Sequence, residues 1–198
     1  MTETKKYNFS FTGFSLRENE MLKVAEAISQ NLPVEMVDFG DGNRNTGQRR
    51  LVAIKRRLEQ FSEQQFQLFL TSDFIVRKQL AFLSVCKAHA FIREFMVEVL
   101  REKLLMYDYE ITEGDYISFY RRKFELHPEM EALTEQTEYK IRQVTLKILE
   151  QAGIINNIKE RILQPQLLST EIVQAIINDN KEWLKVFMLS DEEINNLS

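Results

Sequence analysis

Phe91-Ile-Arg-Glu-Phe-Met-Val-Glu-Val-Leu-Arg-Glu-Lys-Leu-Leu-Met106 is apolar around much of a helical circumference. That pattern predicts the central helix of a bundle, since a surface helix would keep one polar face. The wider stretch Leu80–Leu105 is interrupted by Lys87, Arg93, Glu94, Glu98, Arg101, Glu102 and Lys103. A spanning helix needs about 18 uncharged residues, so this segment belongs in a protein core and no membrane is expected. Immediately upstream, Ser72 or Asp73 caps a helix running to about Ala88. Ser62-Glu-Gln-Gln65 is a capping box that opens a short helix to about Leu70.

Further upstream, Leu51, Ile54, Leu58 and Phe61 recur at three- and four-residue spacing, which predicts a helix over about Gln48–Phe61. Its cations Arg49, Arg50, Arg56 and Arg57 lie off that stripe and are expected to face solvent or a partner. Asp38–Gly47 holds Gly40, Gly42 and Gly47 among Asp and Asn, and reads as a loop; no GK[ST] follows to make it a phosphate cradle. Ser15-Leu-Arg-Glu18 is a second capping-box pattern, predicting a helix from about Leu16 to Asn31 with Leu22, Ala25 and Ile28 on one face and Pro33 as its stop. Before it, Tyr7–Phe14 alternates apolar and polar residues, as an extended arm laid on the body would.

Downstream, Thr112-Glu-Gly-Asp115 opens a helix to about Phe124, and His127-Pro128 breaks it. A long periodic segment, Met130–Ala152, ends at Gly153. Ile154-Ile-Asn-Asn-Ile-Lys-Glu-Arg-Ile-Leu-Gln-Pro165 reads as two short apolar runs flanking a polar turn, hence a small hairpin. Ser169 caps a last helix to about Asn178, with one more turn after Lys181. The expected fold is therefore all-α: a compact multi-helix bundle with a winged-helix-like C-terminal half containing one short β-hairpin. Residues 1–109 would form an N-terminal helical bundle with its arm, and residues 110–198 the winged-helix-like half, the two packing as one globule or as two. In such a half the long helix is the recognition helix. Its candidate readers are Gln136, Tyr139, Lys140, Arg142, Gln143 and Lys147, with Lys159 and Arg161 on the wing.

Composition supports helices. Among 198 residues there are 14 Phe but only 6 Gly and 3 Pro, too few breakers for a turn-rich β architecture. The single Cys86 excludes an internal disulfide framework and fits a reducing, cytoplasmic setting. Met1–Lys6 is polar, with no apolar h-region behind it, so no signal peptide is expected. Net charge is −4, yet it is unevenly spread. Arg44, Arg49, Arg50, Lys55, Arg56 and Arg57 form a run without an acid, whereas Ser169–Ser198 carries six acids against Lys181 and Lys185. A basic segment on an acidic body is the footprint expected of phosphate binding.

Catalytic chemistry is not legible. His89 and His127 lack metal-like neighbours, and Cys86 with His89 at i, i+3 is at most half a site, better read as a buried thiol in an apolar helix. Nothing resembles a Walker motif, a two-metal nuclease cluster or a dinucleotide loop. A binding protein without catalytic residues, metal or cofactor is expected.

Three segments carry a resemblance: Phe9-Ser-Phe-Thr-Gly13 with Leu16 and Glu20; Phe91–Lys103; and Lys140-Ile-Arg-Gln-Val144 leading to Leu149-Glu-Gln-Ala-Gly-Ile154 and Ile162-Leu-Gln-Pro165. In this order and spacing they resemble the BrxA family, small proteins of bacteriophage-exclusion (BREX) defence islands. The resemblance covers nearly the whole chain and implies an all-helical fold, compared with the RNA-binding NusB fold. It also implies nucleic-acid binding without catalysis. Duplex DNA would be held at its phosphates by Arg44, Arg49, Arg50, Lys55, Arg56 and Arg57, with Lys140, Arg142, Lys147, Lys159 and Arg161 as a second surface. RNA, and other BREX proteins docking on the basic helix, are the alternative partners. Arg93 and Glu94, adjacent on their helix, would each bridge to a different neighbour.

Overall fold

Two consecutive helices fill the centre of the molecule, shown by a computed structural model that describes residues 6–34, 39 and 43–197. Helix α1 spans Glu18–Ser29, α2 Arg44–Leu58, α3 Glu63–Thr71 and α4 Phe74–Ala88. Helix α5, Ala90–Phe95, runs through a π-helical turn, Met96–Leu100, into α6, Arg101–Leu105. Then come α7, Glu113–Leu126, α8, Glu135–Ala152, α9, Thr170–Asn180, and α10, Asp191–Asn196. Every residue from Leu80 to Cys86 is buried, as are Phe91, Ile92, Phe95, Met96, Val99 and Leu100. The core thus centres on α4 as much as on the predicted Phe91–Met106 segment, and one buried cluster draws on both halves of the chain.

Local signals placed several ends correctly. Ser62 with Gln65 and Thr112 with Asp115 form reciprocal capping boxes, and the Asp73 side chain accepts the Val76 N–H. Gly153 closes α8 in the left-handed region at φ 75°, which L side chains adopt only with strain. The Ser15–Glu18 box does not form. Arg17 stands at the N-cap of α1 with φ 48°, the Glu18 carboxylate pairs with Arg77 at 2.7 Å, and the Leu16 N–H donates to Gln151 Oε1 at 2.9 Å. The helix consequently buries Met21, Val24 and Ala25, while Ile28 is exposed. Helix α8 starts at Glu135, later than Met130, because Pro128–Ala132 forms a 3₁₀ turn and Thr134 caps the helix proper.

The arm is not extended throughout: Ser10–Gly13 make a 3₁₀ turn. Its Tyr7 and Phe9 pack edge-on against Phe91, and Tyr7 stacks on His127 with ring centres 3.6 Å apart. The Tyr7 hydroxyl donates to Glu94, which also pairs with the buried Lys123 at 2.6 Å. Arg93 instead lies over the Trp183 ring, so the adjacent pair does reach separate neighbours.

The expected hairpin is reduced to two antiparallel bridges, Ile155 with Leu163 and Glu110 with Ile162. The second bridge ties the segment before α7 to the reversal after α8. Of the loop expected over Asp38–Gly47, positions 38 and 40–42 lie outside the described residues, while Arg44–Gly47 are not loop but the first turn of α2, capped by Asn43. No helix of the described residues is long and apolar enough to cross a membrane.

Candidate functional site

Helix α2 begins where Asn43 accepts the Thr46 N–H at 3.1 Å, and it lays Gly47, Leu51, Ile54 and Leu58 on the core. That orientation leaves Arg44, Arg49, Lys55 and Arg56 exposed. None of the four takes part in an ion pair with another described residue. Arg49 and Arg56, seven positions apart, share one face about 10 Å apart along the axis. A groove of about 840 Å³ separates this face from the 3₁₀ turn of the arm, with Ser10, Asn45, Gln48, Arg49, Arg50 and Arg56 on its walls.

Two cations of the run do something else. Arg57, expected to face solvent, is 1% exposed. Its Nη1 donates to Ser15 O at 2.7 Å and Leu16 O at 3.1 Å, and its Nη2 donates to Phe14 O at 2.8 Å. Burial lowers its pKa to about 9, which leaves it charged at neutral pH. Arg57 is therefore a clamp on the turn into α1 and cannot reach a phosphate. Arg50, one helical heptad earlier on the same edge, donates to Phe39 O at 2.7 Å and is half-buried. Sequence could have shown this: positions 50 and 57 flank the 51–54–58 stripe and lie beside it, not opposite.

On α8, Gln136, Tyr139, Lys140, Gln143 and Lys147 are exposed, as is Lys159 beyond it. Here acids dilute the charge. Arg142 pairs with Glu113, and Lys147 Nζ lies 2.6 Å from Glu150 Oε2. Arg161 takes φ 55° at the tip of the reversal, and its Nε donates to Ile158 O at 3.0 Å. The described structure thus keeps two basic surfaces, and the one on α2 has the uncompensated charge.

Cys86 and His89 are both buried and do not converge on acids. Burial pushes the Cys86 thiol up, and pulls His89 down to about 4, with Arg57 and then Arg56 adding repulsion against its charged form. His89 Nδ1 lies 3.1 Å from Asn8 O, fixing the arm to α5. Among the described residues no group of three or more His, Cys, Asp or Glu could hold a metal ion.

A second cleft, of about 300 Å³, escaped the sequence reading. It lies between α7 and α8, where Tyr116 and Tyr120 stack at i, i+4 with ring centres 6.2 Å apart. Tyr139 and Glu138 of α8 form the opposite wall.

Residues 5–180 match the family model described as BrxA. The chain is 27% identical over 121 residues to the BREX protein BrxA of Bacillus cereus, a match covering 56% of this chain and 60% of that protein. It is 23% identical over 133 residues to the BREX protein BrxA of Escherichia coli, covering 67% of this chain and 62% of that protein. The chain therefore spans about three fifths of the length of these relatives. A crystal structure of an uncharacterized protein from Magnetospirillum magneticum superposes with a TM-score of 0.79 at 17% identity, covering 93% of this chain and 98% of that one. That likeness is one of fold.

Proposed function

Since the chain belongs to the BrxA family of BREX phage-defence proteins, we propose that it is a non-enzymatic accessory protein that binds duplex DNA through backbone phosphates. The observation that carries this reading is α2: Arg44, Arg49, Lys55 and Arg56 are exposed on a helix without an acid between them, in a chain whose net charge is −4. Such a patch binds by releasing condensed counterions, with affinity but little sequence preference. The C-terminal half supplies a second surface read as a winged helix. In support, the order is a bridged segment at Glu110, α7, a break, α8 and a reversal bridged at Ile155 and Leu163. Lys140, Lys147 and Lys159 would then approach the groove edges.

One observation favours a different partner. Val52, 61% exposed in the middle of the basic face of α2, suits an acidic protein surface of the same defence system better than a phosphate. Fluorescence anisotropy with duplex DNA, single-stranded DNA and RNA, each titrated across about 50–200 mM salt, separates the readings. Duplex binding that weakens steeply with salt supports the proposal. No binding to any nucleic acid, together with salt-resistant capture of a BREX protein, replaces it.

A further inference from the structure

The cleft between α7 and α8 has features that phosphate contact does not require. Tyr116 is 6% exposed, and its hydroxyl has no hydrogen-bond partner among the described residues. That hydroxyl lies near Tyr120, Arg142 and Glu138, which all line the cleft. The Arg142 guanidinium stands 5.8 Å over the Tyr116 ring, held there by Glu113. At the mouth, the Tyr139 ring is 67% exposed. Arg121 is exposed at the rim.

From this arrangement we infer that the cleft receives one unpaired nucleobase, whether from a free nucleotide or from a strand held on the same face. The exposed Tyr139 ring offers a π face to a planar heterocycle, a common way for proteins to hold an unstacked base. Glu138, on the cleft wall, accepts from an exocyclic amine or ring N–H. Arg121 at the rim meets the attached phosphate. A volume of about 300 Å³ lies at the small end of ligand sites and suits a single base. The inference rests on the nucleic-acid reading for the strand, although the cleft itself is independent of α2.

The test uses the full chain with three probes: adenosine monophosphate, a single-stranded oligonucleotide carrying one 2-aminopurine, and an abasic strand of equal length. Stacking in the cleft quenches 2-aminopurine, and Tyr139→Ala, at an exposed position, removes the quenching and weakens the base-bearing strand about tenfold. The abasic strand is unaffected by that variant. Glu138→Gln alters the ranking among adenosine, cytidine, guanosine and thymidine monophosphates without disturbing α2. Calorimetric binding of adenosine monophosphate, lost in Tyr139→Ala, identifies a free nucleotide as the source. Quenching of the strand without monophosphate binding identifies a base within a strand. Equal binding of base-bearing and abasic strands, without quenching, overturns the inference. If Arg49→Glu with Arg56→Glu then abolishes both, the phosphate reading survives the loss of the cleft. Binding of none of the probes and of no duplex overturns both.

Discussion

The Arg57 guanidinium sits 4.6 Å from the centre of the Phe14 ring and donates to the Phe14 carbonyl at 2.8 Å. The same cation satisfies Ser15 O and Leu16 O, so one side chain of α2 fixes the turn by which the arm enters α1. Arg57→Met would keep the stem and strand these carbonyls, at a cost of about 3 kcal/mol by chemical denaturation. DNA binding by the still-folded fraction should be unchanged. Arg57→Lys should recover only part of the stability, since an ammonium cannot span the fork.

His89 should make the fold acid-sensitive. Its folded pKa of about 4 lies below the ordinary 6.5 because burial disfavours the imidazolium. The unfolded chain therefore binds the proton first. The stability that neutral His89 contributes is fully present above about pH 6.5, falls as pH drops toward 4, and is level below that. The loss across this window should be up to about 3 kcal/mol. Urea unfolding at pH 7 and 4.5 checks it: the difference between the two should shrink in His89→Gln.

Gly153 ends α8 at φ 75°, and a Cβ there would meet Lys78 Nζ at 3.2 Å. The ammonium can move aside, so backbone strain decides the outcome. Gly153→Ala should lower stability by about 1–2 kcal/mol, read as a fall in Tm, and Gly153→Asn by less.

Salt dependence measures how many phosphates are touched. With Arg44, Arg49, Lys55 and Arg56 each neutralising one, affinity for duplex DNA should fall roughly a hundredfold between about 50 and 200 mM salt. A nearly flat response would mean that phosphates are not the ligand.

The sequence was most legible where the physics is local. The caps at Ser62, Asp73 and Thr112, and the stop at Gly153, depend on residues within one turn. Capping reasoning failed at Ser15, because Arg17 takes the N-cap in the left-handed region and the Glu18 carboxylate is held by a distant side chain, Arg77. It failed again before Thr134, where the residues after Pro128 continue the apolar periodicity but fold as a 3₁₀ turn. At the site, the basic run was plain from composition, yet its division was not. Arg50 and Arg57 turn inward because carbonyls at Phe39 and Phe14–Leu16 await them, and those are long-range partners. The tyrosine cleft was hidden for the same reason: Tyr116 and Tyr139 meet only once α7 and α8 pack.

Charge reversal on the two basic surfaces tests the central claim most directly. Arg49→Glu with Arg56→Glu changes two exposed positions, so the fold should be kept, with a stability change under about 0.5 kcal/mol per site. Lys140→Glu with Lys147→Glu does the same on α8. Circular dichroism first establishes that both variants are folded, and anisotropy with one labelled duplex at about 100 mM salt then compares them. The account predicts that the α2 pair weakens binding by more than about tenfold and lowers the salt slope by about two, since two phosphate contacts are lost. The α8 pair should have the smaller effect, because Glu113 and Glu150 already dilute its field. Loss of binding in the α8 pair, with the α2 pair unchanged, would contradict the account and make α8 the reader.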